Sequence, residues 1–209
     1  MEPAGSFHEK VLARILALSD GIFAFAITLL ILNVAVPEGT SKADLAETLV
    51  SLWPKYLAFL ISFFVIGLYW FSHVRQFRSI IRYDTRLLWL NLVFMLFIVT
   101  IPFSTSVMSN YNHPLSVTIY AASMACAGFM SCAIWIYASH KRRLVIEDLS
   151  QAAVRRGIIV TLISPVVFTL SIGLAFINVE LAEYSWISIF VLRMLTRYLF
   201  RLPKADEDF

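Results

Sequence analysis

Six stretches of the chain are apolar for long enough to cross a bilayer, and most polar residues are confined to the connections between them. The runs fall at 15–36, 55–74, 87–108, 115–139, 157–178 and 184–200. A crossing helix needs about 20 predominantly apolar residues, so each run predicts one span. The last run is the weakest, because Arg193 and Arg197 interrupt it. Pro102 and Pro165 predict bends in the third and fifth spans. The connection 37–53 predicts a short helix over 41–47, where capping and helix-forming residues cluster. On the fourth span, Ala121 with Ala125 and Gly128 with Cys132 are small residues four apart, a spacing that lets helices approach closely.

Composition supports the pattern. Of 209 residues, 59% are hydrophobic and 15% are charged, against roughly 45–50% and about 25% in soluble domains. That surplus of apolar side chains excludes a soluble enzyme, a disordered chain and a nucleic-acid-binding domain. The only cysteines, Cys126 and Cys132, share one apolar run and read as small packing residues.

The net charge of +3 matters less than where the charges lie. Fifteen of the 17 lysines and arginines fall at the two chain ends and in the second and fourth connections. Only Lys42 and Lys55 lie on the other side. Basic residues collect on the cytoplasmic side. The fold class is therefore an all-α, multi-pass membrane protein of the cell membrane, one six-span domain with both termini cytoplasmic. The clustered basic residues are explained by topology, and contact with anionic lipid is a second reading of them.

Thirteen of the 14 acids lie in loops or tails, and Asp20 alone falls within a strongly apolar segment. An ionisable group at membrane depth is costly and points to function. Three readings stand: Asp20 caps a helix start, anchors one helix to another, or touches a moving ion or proton. Depth favours an anchor. Asp20 lies near the inner end of the first span, Trp70 and His73 near that of the second, and Asn91 about one turn into the third. Their groups are complementary donors and acceptors, and Arg14 is near enough to join. His73 by itself reads as a structural histidine before a proton relay.

Gly21, Phe25, Thr28 and Leu32 share one stripe of the first span, with a single polar group among them. The stripe faces lipid or forms an apolar constriction with one hydroxyl ring; periodicity alone allows both. Motifs of potassium filters, voltage sensors, nucleotide loops, zinc proteases and serine hydrolases do not occur. No enzyme activity and no cofactor are expected.

Residues 14–28, Arg-Ile-Leu-Ala-Leu-Ser-Asp-Gly-Ile-Phe-Ala-Phe-Ala-Ile-Thr, resemble the signature of the lysosomal potassium-channel family, transmembrane protein 175, and its prokaryotic members. Arg14, Ser19, Asp20, Ala24 and Thr28 fit that signature, and Leu18 stands in place of its usual Phe. Trp70-Phe-Ser-His73, Leu88-Trp-Leu-Asn91 and the Pro102-Phe-Ser-Thr run are similar to the same family. The resemblance implies a homotetramer conducting potassium, with the first helices around the axis. It implies pore-lining positions at Phe25, Thr28, Leu29 and Leu32, and a hydrogen-bond network of Arg14, Ser19, Asp20, Trp70, His73 and Asn91. Phe25 is larger than the Ile or Leu usual at its place. Two other readings compete with a channel: a proton-coupled or other secondary transporter using Asp20, and a non-conducting membrane scaffold.

Overall fold

The structure, a computed structural model, describes residues 4–199. It contains eight α-helices over that range. They are α1 (Ala4–Leu30), α2 (Leu45–Ser51), α3 (Trp53–Ser79), α4 (Thr85–Asn110), α5 (Pro114–Ser139), α6 (Gln151–Ala175), α7 (Val179–Ser185) and α8 (Ile187–Leu199). Five of them, α1 and α3 to α6, are long and apolar enough to cross a membrane. The short helix expected in the connection 37–53 is α2.

Side-chain caps set the starts of α4, α5 and α6 ahead of their apolar runs. Asp84 Oδ1 accepts from the Leu87 amide at 2.9 Å to begin α4. Ser150 Oγ accepts from the Ala153 amide at 3.1 Å to begin α6, six residues before the apolar run at 157. Arg155 and Arg156 therefore lie on helix rather than in a loop. His113 caps α5 ahead of Pro114. Asp20 is not a cap, because α1 runs through it without interruption.

The sixth run departs from the expected single helix over 184–200. It breaks at Trp186, between α7 and α8. Trp186 is buried, and its indole donates to Ser171 Oγ at 2.9 Å. Its ring lies 4.9 Å from that of Tyr120 and 5.6 Å from that of Phe168. The buried indole, with its N–H satisfied, anchors this break against α5 and α6. Phe200, Arg201 and Lys204 lie outside the described residues.

The centre of the bundle is α5, which packs most extensively on α4 and α6. A Cβ added at Gly128 would stand 2.7 Å from Pro165 Cδ, so only glycine permits this approach of α5 to α6. Core hydroxyls satisfy one another: Ser62 Oγ lies 2.9 Å from Thr105 Oγ1 and 3.1 Å from the Tyr120 hydroxyl. Helix α1 lies at the side of the bundle, against α4 and α3.

The two basic connections meet at one end. Ile80 and Val145 form an antiparallel bridge, and the Ile146 amide donates to the Ser79 carbonyl at 3.0 Å. Asp84 ties the junction: its Oδ2 accepts from the Tyr137 hydroxyl at 2.5 Å and from Arg143 Nη2 at 2.9 Å. The Arg143 guanidinium also lies 4.9 Å over the Tyr137 ring. Burial raises the affinity of Asp84 for a proton. The Tyr137 hydroxyl, the Leu87 amide and Arg143 outweigh that and hold its carboxyl below the usual carboxylate range.

Candidate functional site

Polar residues of α1, α3 and α4 form two clusters near that same end. The first is buried. Asn91 Nδ2 donates to Ser19 Oγ at 3.0 Å, and Asn91 Oδ1 lies 2.9 Å from His73 Nε2. With the amide in this orientation, the imidazole donates from Nε2. Ser19 and His73 are fully buried, and Asn91 nearly so. Aromatic rings close around the histidine: Phe77 stacks on it at 4.3 Å, and Phe94 and Phe23 lie at 5.8 and 5.7 Å. Three polar groups are thus sealed among apolar rings with their mutual bonds made and His73 Nδ1 left without a described partner, an arrangement that ties three helices together.

The second cluster is exposed. Trp70 Nε1 donates to Asp20 Oδ1 at 2.9 Å, and Asp20 lies open at the surface of the chain. The six residues expected in one network therefore divide. Successive residues on a helix point about 100° apart, so Ser19 enters the core while its neighbour Asp20 stays outside. No hydrogen bond joins the two clusters among the described residues. Arg14 belongs to neither and lies exposed on the outer face of α1.

The two faces of α1 differ along its length. Leu12, Ser19, Phe23, Ala26 and Leu30 are buried against α3 and α4. Opposite them, Arg14, Leu18, Gly21, Phe25, Thr28 and Leu32 form an exposed ridge. Leu18, Phe25 and Leu32 are 58%, 62% and 70% exposed. Their spacing alternates four and three residues, the seam of helices that pack against copies of themselves. Phe25, Thr28 and Leu32 share this ridge, whereas Leu29 is half-buried at its edge. The Thr28 hydroxyl donates to the Phe25 carbonyl at 2.9 Å, which leaves lone pairs of its oxygen for a cation.

Sequence reasoning missed the aromatic cage. Phe23, Phe77 and Phe94 follow Ser19, His73 and Asn91 by four, four and three residues. That spacing puts each ring on the same helix face as its polar partner. Among the described residues, no group of three or more histidines, cysteines or acids is placed to hold a metal ion.

Comparisons with known proteins converge on one family. The model of the family described as endosomal/lysosomal potassium channel TMEM175 matches residues 14–102. A potassium channel of Streptomyces collinus is 31% identical over 174 residues, 80% of this chain and 84% of its own. A potassium channel of Chamaesiphon minutus is 31% identical over 191 residues, 88% of this chain and 91% of its own. The human endosomal/lysosomal proton channel TMEM175 is 26% identical over 144 residues, 68% of this chain but 29% of its own. Among solved structures, a lysosomal potassium-selective channel TMEM175 homologue from Chamaesiphon minutus superposes with a TM-score of 0.73 at 28% identity. That superposition covers 92% of this chain and 100% of the other.

Proposed function

We propose, from the premise that the chain belongs to the TMEM175 family, that it is a potassium-permeable channel of the cell membrane whose conducting path forms where copies bring α1 together. The observation that carries this reading is the exposed ridge of α1. Large apolar side chains alternate there with one glycine and one hydroxyl, on a helix whose opposite face is already buried. Leu18 to Leu32 spans about 21 Å at ~1.5 Å per residue, enough to line most of a bilayer's thickness. In a closed ring, equivalent ridges converge on one axis. A homotetramer is the assembly proposed, with α7 and α8 supplying the sixth crossing and both termini in the cytoplasm.

Along such an axis, Phe25 and Leu32 form apolar rings that pass an ion only when the path widens and wets. Thr28 and Leu29 lie between them. The Thr28 oxygens, already turned from donating to the axis, partly replace the hydration of a cation. The cytoplasmic-side clusters hold the first helices in place: the Ser19–Asn91–His73 lock sets α1 against its own bundle. Asp20 and Trp70 present a charged, directional group where a neighbouring copy sits, and Arg14 lies at the mouth. Bilayer lipid covers the remaining apolar surface.

Purified protein in potassium-loaded liposomes tests the reading, with oligomer mass measured alongside. Stepwise single-channel currents carried by potassium and a mass of four chains are expected. Absence of flux from a correctly folded assembly would leave a membrane scaffold. An open carboxylate with one hydrogen bond also suits a proton-coupled carrier working through Asp20. Saturable uptake driven by a pH gradient, without current steps, would favour that alternative.

A further inference from the structure

A second charged feature lies beside the Asp20–Trp70 pair, on the other side of Trp70 from α1. A cleft of about 490 Å³ opens between α3, α6 and α8. Arg75, Arg156 and Arg193 line it together with the more exposed Arg78, and none of its described lining residues is acidic. Arg156 and Arg193 are half-buried, and the Nε of each is shielded from solvent without an acceptor. Arg193 Nη2 donates to Ser164 Oγ at 3.3 Å. Three cations thus converge, partly desolvated and with no described carboxylate to neutralise them. Such a cluster is costly unless an anion completes it.

The shape of the site narrows the choice of anion. Planar guanidinium forks match phosphate oxygens in geometry and charge. Arg75 is four residues from the end of α3 and Arg156 five from the start of α6, where the two basic connections meet. That is about 6–8 Å from the helix ends at ~1.5 Å per residue, the depth of a lipid headgroup. Beside the arginines, the wall is apolar: Phe71 is 66% exposed, with Val74 and Val160 next to it. Basic pockets between membrane helices take phospholipid headgroups, and an apolar wall suits an acyl chain.

We infer that the cleft between α3, α6 and α8 binds a phosphate group, held by Arg75, Arg156 and Arg193 and supplied by an anionic phospholipid. The cleft adjoins α1 only through Trp70, whose indole holds Asp20, and its test reads binding rather than conduction.

The intact assembly, stripped of lipid in detergent, is titrated with phosphatidylglycerol or phosphatidylcholine, and bound lipid is counted by native mass spectrometry. Preferential retention of phosphatidylglycerol is expected. Arg156→Gln with Arg193→Gln should weaken that retention by about tenfold or more. Arg155→Gln, at an exposed neighbour lining a different cleft, should leave it unchanged. Arg75→Gln removes a cation that makes no hydrogen bond to a described residue, so weaker retention in that variant, at unchanged oligomer mass, separates binding from folding. Competition by inorganic phosphate would show that the headgroup phosphate is what is recognised. Retention of inorganic phosphate without phosphatidylglycerol would keep the anion site and assign it to soluble phosphate. Equal retention of both lipids with no phosphate binding, or equal loss in Arg155→Gln, would overturn the inference.

Discussion

Helices α1 and α5 are both long apolar spans, yet the chain uses them in opposite ways. In the most apolar stretch of α5, 56% of residues are buried inside the bundle, against 28% in α1. The more buried helix is the less apolar of the two. Helix α5 enters the core through small residues and hydroxyls, Ala121, Ala125, Gly128 and Ser131 among them. Helix α1 displays Leu18, Phe25 and Leu32 on an open ridge. In a membrane, apolarity suits a helix equally to lipid, core or a copy of itself, so burial follows from close fit rather than from greasiness. The comparison separates residues that build the bundle from residues that serve the surface between bundles.

The sharpest way to break that distinction is a pair of glycine substitutions. Gly128→Leu drives a side chain into the Pro165 ring and should cost at least about 1–3 kcal/mol of stability, with loss of folded protein. At Gly21 an added Cβ meets nothing within 4 Å in the single chain, so Gly21→Leu points into open space. It should leave thermal unfolding of the protomer unchanged while altering assembly or flux. Equal destabilisation by both would erase the difference between the helices.

The two polar clusters give the next contrast. His73→Ala leaves the Asn91 side-chain oxygen without its donor and opens a hole among three phenylalanines, so a loss of about 1–3 kcal/mol is expected from the unpaired oxygen alone. Asp20→Asn keeps an acceptor for Trp70 at an exposed position. Its effect on protomer stability should stay within about 0.5 kcal/mol, with the consequence confined to oligomer yield or open probability. Thermal unfolding and oligomer mass, measured on both variants, distinguish the roles.

Smaller effects follow. Thr28→Val keeps the shape of the ridge and removes its hydroxyl, so folding and assembly should be unaffected while preference among cations falls. Reversal potentials under biionic conditions that match wild type would remove Thr28 from the path. The smallest expected effect concerns the junction of the basic connections. The Asp84 carboxyl sits below its usual range in the folded chain. Its contribution is therefore complete above the unfolded carboxylate value of about 4. It is lost as pH falls through the lower folded value, because the unfolded chain then binds the proton first. Thermal stability followed downward from neutral pH should decline less steeply in Asp84→Asn than in wild type.

Much of this architecture was legible in the residues. Long apolar runs can be satisfied in lipid only as helices, and five of the six proved to be single long helices. Small residues at four-residue spacing marked the close face of α5. Asp20, Trp70, His73 and Asn91 could be brought to one level by counting turns, since depth along a helix is linear in sequence. Their partners could not be read the same way. Which residues bond depends on how each helix is rotated about its axis, and near-uniform apolarity around a membrane helix hides that rotation. So Ser19 rather than Asp20 reaches Asn91, and Arg14 stays outside. The break at Trp186 escaped for a related reason: there an indole finds Ser171 and two rings from other helices, contacts with no local signature.

The residue order alone determined that this is a helical membrane protein, the approximate course of its apolar runs, the side on which basic residues gather and the one acid that interrupts an apolar segment. Those follow from length, apolarity and charge, which act residue by residue. The tertiary structure decided which face of α1 is spent on the bundle and which is left open, how the polar groups divide into a sealed lock and an exposed pair, and that three distant arginines share one cleft. Those follow from rotation and packing between helices, where the free energy belongs to pairs of surfaces and not to any single stretch of chain.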